Sequence, residues 1–504
     1  MFATDEQGKS AEILYIHASK QGVGSRYMGV GSDVPFWLIP VGVIGMLNLL
    51  SNEGIDVCGI NEPLERLLDA RFNLAHWLHR LQRVRMVLVD LHWYEHCYGA
   101  IEVCRLCREV LPGVPIIVGG LTATRFADEI LKDFPCIDII IQGDGEEPLR
   151  QLACALCLEQ RELHDVDLAK IPNLAYRKSN QVVMNSIDYC ATSDQIDHMD
   201  WVSVGNLLHS REYRGLQYVG EREAYAPAEG PPHLGHWLTV GRGCRFDCSY
   251  CGGGSQSHRA LAGREGLVFR SVASIAHDLE RLSSEGVHQV ALTLDLSLMG
   301  KAYWSRLFAE ISRRRVEIGI YNEVFLLPKP DFVRAFAEAA NLAHSELALS
   351  VLSQENVRRR NGKNFRDTQL FRALTLLKQH RVPISVYFSL NLPGETLECF
   401  PETLELAAQI GRVYPSELLR MLGQPNTIDP ESPMSRHPEE YDLELSFRSF
   451  SHYYSYCRRT ANSDTSPDPL EQHGFHDLHR SRDETVAIRQ AWHAFCMAQT
   501  FECT

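Results

Sequence analysis

The sequence predicts two successive α/β domains. An open, doubly wound parallel sheet comes first, then a complete or partial β/α barrel, then a small and mostly helical C-terminal region. Three observations carry this prediction. The chain has 504 residues, too many for one ordinary core. Short continuous apolar runs alternate with helix-like runs through its first third. The same alternation resumes after a stretch rich in Gly, Pro and Glu.

Taken in order, residues 12–17 (EILYIH) read as a buried strand and 39–50 as a helix ending before Asn52 and Gly54. Strands follow at 55–60 (IDVCGI), 86–91 (MVLVDL), 115–118 (PIIV) and 137–141 (IDIII), with an amphipathic helix over 100–111. Continuous apolar strands separated by helices mark a parallel sheet covered on both faces. Residues 1–160 are therefore predicted to form a Rossmann-like, doubly wound domain. Residues 161–235 are poorly periodic and read as a linker, with the Gly-, Pro- and Glu-rich part at 215–232. Strands resume at 236–240, 289–294, 317–321, 347–351 and 384–390. This repetition over 236–412 suits a barrel, whose site lies at the C-terminal ends of its strands. Beyond Arg412 the regularity fades, and 413–504, rich in Arg, His and aromatic residues, is predicted to form a helical cap.

Composition narrows the function. Hydrophobic residues make up 45% and charged residues 23%, as in an ordinary soluble globular protein. A formal net charge of −14 argues against a nucleic-acid partner, since phosphate neutralisation requires a basic footprint. Residues 1–11 are polar and carry no export signal, and the longest apolar stretch, 34–50, is too short and too rich in Pro and Gly to span a bilayer. A cytoplasmic enzyme without membrane anchors is expected. Fifteen cysteines in such a chain point to reduced thiols and a metal site before disulfides. Cys496 and Cys503 have no evident partner.

The chemistry concentrates in residues 239–254, TVGRGCRFDCSYCGGG, directly after a strand. Cys244, Cys248 and Cys251 follow a C-x3-C-x2-C spacing. Thiolates are natural ligands of iron–sulfur clusters, and three of them leave one iron of a four-iron cubane open for catalysis. The competing reading is a zinc knuckle with His258 as fourth ligand. Structural zinc sites favour paired C-x2-C units, however, and no second pair ends another strand. Cys104/Cys107 and Cys154/Cys157 have that spacing but lie in apolar helix-like runs, where core thiols are expected. Gly252, Gly253 and Gly254 lack the G-K-[ST] of a phosphate loop, and close approach of backbone to a cofactor suits them better.

The triplet resembles the radical S-adenosylmethionine (SAM) signature, with an aromatic residue, Tyr250, before the third cysteine. Residues 387–396 (YFSLNLPGET) are similar to that family's fifth-strand ending, and 347–363 to its fourth strand and the basic helix start after it. The resemblance covers most of 236–412 and implies a partial (β/α)6 barrel. It also implies a [4Fe–4S] cluster on the three cysteines and cleavage of SAM to a 5′-deoxyadenosyl radical. An external one-electron reductant such as a flavodoxin or ferredoxin would feed the cluster. Implied SAM contacts are Tyr250 on the adenine, Gly252 and Gly253, and Asp295 on the methionine amine. Ser350 or Ser353 would meet the ribose, and an arginine among 358–360, with Arg359 as the candidate, the carboxylate. The sequence departs from the family at Val351, where many relatives carry Glu or Gln.

An α/β domain ahead of such a barrel, with 116–124 (IIVGGLTAT) and 142–148 (QGDGEEP), resembles the cobalamin-binding (B12-binding domain) radical SAM subfamily. That resemblance implies a corrinoid at the C-terminal edge of the first sheet, as open α/β sheets generally bind ligands. Candidate contacts lie in 17–24, in 92–98 with His92 and Trp93, and in 119–124 with Gly119, Gly120 and Thr122. The D-x-H-x-x-G string of histidine-ligated corrinoid domains is missing, so a corrinoid without histidine ligation is the consistent picture. The alternative is a domain that keeps the fold and uses its sheet edge for substrate. The resulting expectation is a cobalamin-dependent radical SAM methyltransferase. It would pass a methyl from methylcobalamin to an unactivated carbon of a small secondary-metabolite intermediate. Cyclisation, oxidation or rearrangement without methyl transfer is the second reading, and a non-catalytic iron–sulfur or zinc module the third.

Overall fold

The computed structural model describes residues 10–20, 38–219, 233–461 and 471–504. The first apolar runs become β1 (Ile13–His17), β2 (Val57–Asn61) and β3 (Met86–Asp90), buried at every position. β4 (Ile116–Gly119) and β5 (Ile139–Ile141) follow. The spatial order is β2-β1-β3-β4-β5, all parallel, as continuous apolar strands require. Because β1 lies between β2 and β3, the winding reverses there, and the crevice of an open sheet opens at that reversal.

The linker expected over 161–235 is corrected. β6 (Leu174–Lys178) and β7 (Gln181–Met184) form a hairpin that adds two antiparallel strands beside β5. Its two-residue turn, Ser179 and Asn180, has φ of 50° and 63°, the left-handed pair that matches strand twist in tight hairpins. Beyond it, Trp201 is fully buried against Gly45, where a Cβ would stand 2.6 Å from the indole. Part of the Gly-, Pro- and Glu-rich stretch, 220–232, and positions 21–24 of the first candidate loop lie outside the described residues.

The second sheet begins with β8 (Gly235–Leu238). A small hairpin, β9 (Gly241–Arg242) with β10 (Val268–Phe269), brackets the cysteine loop. β11 (Gln289–Leu292), β12 (Gly319–Val324), β13 (Glu346–Leu352) and β14 (Ile384–Ser389) then add in sequence, all parallel. Sequential addition is the winding of a barrel, in contrast to the reversal in the first sheet. Trp237, Ala291, Tyr321, Ala348 and Tyr387 pack together on one face, and strand alternation sends Val290, Ile320, Leu349 and Val386 to the other.

The barrel extends past the expected boundary at Arg412. β15 (Leu419–Gln424) pairs in parallel with β14 as a sixth strand, and β18 (Glu502–Cys503) pairs with β15. β15 is half polar, with Arg420 bridging to Glu346 at 2.6 Å, so it lacks the continuous apolar run that marks the other strands. Between them, β16 (Leu443–Leu445) and β17 (Phe475–Asp477) form an antiparallel pair. Cys496 and Cys503, expected to lack partners, form a disulfide with each other.

The chain divides into two compact units that are not contiguous in sequence. One contains the first sheet with Ser257–Glu265 and the segment starting at Phe447; the other contains the second sheet. The helix Phe450–Ala461, within the region expected to be a separate cap, packs on the first unit. Tyr453 lies 4.6 Å from Tyr94 by ring centroid, and the Phe450 amide donates to Glu129 at 2.7 Å.

Candidate active site

The cysteine loop follows β9, at the C-terminal side of the second sheet. Cys244, Cys248 and Cys251 are all free thiols, with Cys248 buried and the other two half-buried. The Phe246 amide donates to Cys244 Sγ at 3.4 Å and the Gly253 amide to Cys251 Sγ at 3.3 Å. Such N–H···S bonds orient cluster thiolates and tune their potential. Burial and the neighbouring Asp429 carboxylate push the Cys251 thiol up to about 12. Burial raises Cys248 as well, against the cationic Lys363. These thiols keep their protons until a metal displaces them. Three thiols, two of them with backbone donors on the sulfur, fit a cluster that keeps one iron open.

Residues far away in sequence hold the loop. Ser249 Oγ donates to Asn361 Oδ1 at 2.5 Å, and Asn361 Nδ2 donates to the carbonyls of Val357 and Pro393 at 2.9 and 3.0 Å. One buried side chain thereby ties the loop to the basic helix Glu355–Arg360 and to the Pro-Gly turn after β14. The Gly252 amide donates to Asp429 Oδ2 at 3.1 Å, and the Met434 amide donates to the Ser249 carbonyl at 3.0 Å. A Cβ on Gly252 would stand 2.5 Å from the Pro430 carbonyl oxygen, so only glycine fits beneath this strap. Gly362, at φ 96°, brings backbone to Cys248, where a Cβ would stand 3.1 Å from Cys248 Cα. Lys363 is buried, with Nζ 3.4 Å from the Phe325 carbonyl, and places positive charge near the thiolates. Sequence reasoning missed Asn361, Lys363 and the tie from Asp429.

The predicted SAM contacts divide. Tyr250, the candidate for the adenine, is half-buried and packs on Leu352, Val357 and Leu392. Ser350 is half-buried on β13, and by alternation shares the face of Ala348. Asp295 is corrected: it is fully buried, accepting from the Ser297 amide and the Phe325 amide at 2.8 Å each. Both carboxylate oxygens thus cap backbone, and burial pushes its carboxyl up. Ser353 is also corrected. It is fully buried, donates to Glu395 and lies 3.0 Å from the Thr403 hydroxyl, so its oxygen serves the core. Arg359 is exposed beside Glu355, while Arg358 is buried on Asp367 at 2.5 Å, as structural residues are. On the sheet face itself, the Tyr321 hydroxyl donates to Glu323 Oε1 at 3.2 Å and lies 3.3 Å from the Tyr387 hydroxyl.

In the first unit, His92, Trp93, Gly119, Gly120 and Thr122 come together at the ends of β3 and β4. The Thr122 amide and hydroxyl donate to the His92 carbonyl at 3.2 and 3.0 Å. Gly120, at φ 116°, lets the two loops touch, since a Cβ there would stand 2.6 Å from the His92 amide nitrogen. Gly120 and Thr122 therefore build the edge from within. Gly119 is open, with its nearest neighbour to a Cβ at 3.9 Å, and the His92 and Trp93 rings are half-buried 4.6 Å apart. Burial holds the His92 imidazole down at about 4, so it is neutral. Elsewhere, Cys104, Cys107 and Cys157 are core thiols as predicted, whereas Cys154, expected among them, is half-buried; His473 is buried beside Phe475.

Comparison with known proteins agrees with this geometry. Residues 238–407 match the radical SAM superfamily, so the chain carries a radical SAM domain, whose cofactors are a [4Fe–4S] cluster and SAM. An anaerobic magnesium-protoporphyrin IX monomethyl ester cyclase from Synechocystis is 26% identical over 370 residues. The alignment covers 70% of this chain and 65% of the relative, so the chain spans less than two thirds of that relative's length. Among solved structures, the radical SAM methyltransferase TsrM from Kitasatospora setae, with cobalamin and a [4Fe–4S] cluster bound, superposes with a TM-score of 0.64. It is 16% identical, and the match covers 89% of this chain and 84% of that one. OxsB, a cobalamin-dependent SAM radical enzyme with aqua-cobalamin bound, gives 0.54 at 13% identity over 86% of this chain and 56% of its own. These structural likenesses are likenesses of fold. Among the described residues, no helix is long and apolar enough to cross a membrane.

Proposed function

We propose that this protein is a cobalamin-dependent radical SAM enzyme that methylates an unactivated carbon of a small natural-product intermediate. The supporting observation is the combination of two sheets in one chain. A 2-1-3-4-5 sheet with an open carboxyl edge precedes a radical SAM sheet, and the pair shares its fold with TsrM over most of its length. Gly119, His92 and Trp93 offer that edge a backbone platform and two planar rings, which suit a flat macrocycle. No histidine signature for corrinoid ligation is present, so a face-on fit without histidine ligation is the reading. When bound, the cluster with SAM supplies a hydrogen-abstracting radical and the corrinoid a transferable methyl group.

The chain's own residues do the positioning. Asn361 and Asp429 fix the loop that presents Cys244, Cys248 and Cys251. Tyr250 and its aliphatic neighbours keep water from a site where a radical must not meet stray hydrogen donors. Ser350, Glu323, Tyr321 and Tyr387 furnish polar groups for holding a substrate on the sheet face. A small-molecule substrate and an external one-electron donor complete the requirement.

The similarity to a cyclase favours a second reading, ring formation or oxidation without methyl transfer. Anaerobic turnover with SAM, reductant and candidate substrates separates the two. Methyl transfer gives S-adenosylhomocysteine and a product heavier by one CH2. SAM cleavage to 5′-deoxyadenosine with no CH2 gained would select the second reading. No SAM cleavage under reducing conditions would refute both and leave a non-catalytic metal module.

A further inference from the structure

We infer that His17, Asp90 and His96 form a binding site for a divalent transition ion of the zinc class, separate from the cysteine loop. His17 is the last residue of β1 and Asp90 the last of β3, and His96 ends the short 3-10 turn (Tyr94–His96) directly after β3. Their positions follow from the sheet order. β1 and β3 are neighbours at the reversal of winding, where open α/β sheets present ligand-binding groups. Relative exposures are 0%, 5% and 0%, which is rare for three such polar groups unless they serve one another or an ion.

The donor set and spacing favour the ion. One ligand atom from each residue lies within 4.8 Å of the others. His17 Nδ1 stands 2.8 Å from Asp90 Oδ1, and His96 Nε2 stands 3.6 Å from Asp90 Oδ2. Ligand atoms on a tetrahedral zinc, with bonds of about 2.0–2.1 Å, are about 3.3 Å apart, between those two distances. The 3.6 Å separation is too long for a hydrogen bond. Asp90 Oδ2 is buried and, among the described residues, accepts no hydrogen bond. The Tyr15 hydroxyl donates to Asp90 Oδ1 at 2.7 Å, the outer support that ligating carboxylates commonly have. Two imidazoles and a carboxylate are borderline donors suited to zinc. Three protein ligands leave the fourth position for water or another group. The site stands whether or not a corrinoid binds at the same sheet edge.

The test uses the full chain with all three cluster cysteines replaced (C244A/C248A/C251A), so that no thiolate of the cluster loop competes. After chelation and dialysis against zinc, the expected content is about one zinc per chain, with a melting temperature several degrees above that of the metal-free protein. D90N and H96Q in the same background are expected to lose that zinc and the shift, while H344Q, in the second unit where the His344 ring packs on His233 and His288, keeps both. Zinc content unchanged in D90N and H96Q would overturn the inference, as would a parent that retains none. If either variant fails to fold, the parent decides: absence of a zinc-dependent shift, or sulfur ligands in its zinc X-ray absorption spectrum, overturns the site.

Discussion

Asn361 is the residue on which the cluster loop most depends, because its single amide satisfies Ser249 and two backbone carbonyls in a buried setting. Replacing it with alanine removes the partner of the Ser249 hydroxyl and of the Pro393 carbonyl, while the Val357 carbonyl keeps the backbone amide of position 361, at a cost of about 1–3 kcal/mol. N361A is expected to melt a few degrees lower and to hold less iron after reconstitution. An unchanged melt and iron content would show that the bridge is idle. A second residue-scale effect concerns Cys58, Cys107 and Cys157, whose thiols burial pushes up to about 12. An unfolded thiol titrates near 8.5, so above that pH the unfolded chain binds fewer protons than the native one. The stability these groups contribute is complete below about pH 8.5 and drains away progressively toward pH 12. Denaturant midpoints at pH 8 and pH 10 should differ in that direction, and iodoacetamide at pH 8 should leave all three thiols unmodified in the folded chain. The cysteine triplet was legible because its ligands lie within eight positions of one another. Asn361 and Asp429 were not, since their partners in the loop are 112 and 177 residues away.

At the scale of elements, the glycines at strand ends mark where backbones must touch. Gly120 combines a positive φ with a Cβ position 2.6 Å from the His92 amide. G120A should cost roughly 1–3 kcal/mol, visible as an earlier thermal transition. It should also weaken corrinoid binding by displacing His92 and Trp93. Retention of both native stability and affinity would place the corrinoid elsewhere. The buried parallel strands were readable from their continuous apolar runs. β15 was not, because it pairs Arg420 with Glu346 in place of apolar residues. The β6–β7 hairpin was hidden too, since its turn is Ser-Asn and lacks the glycine that usually announces one. Asp295 shows the limit of motif reading: the strand-end position was right, but its carboxylate caps backbone amides.

For the molecule as a whole, the order of domains was readable and their boundaries were not. The two units exchange segments along the chain, and a compositional scan assumes contiguous stretches. Phe450–Ala461 was assigned to a separate cap because its aromatics pack on residues more than three hundred positions earlier, Tyr453 on Tyr94 and Phe450 on Phe126, which no local pattern reveals. The proposed function requires two cofactor sites in one chain, one on the cysteine loop and one on the edge of the first sheet. The most direct test is the visible spectrum of anaerobically purified protein, reconstituted with iron, sulfide and hydroxocobalamin, beside that of C248A. The wild-type chain should show both the broad sulfur-to-iron absorption and the corrinoid bands, and C248A should lose the first and keep the second. A wild-type spectrum without corrinoid bands, or cluster absorption that survives in C248A, would contradict it.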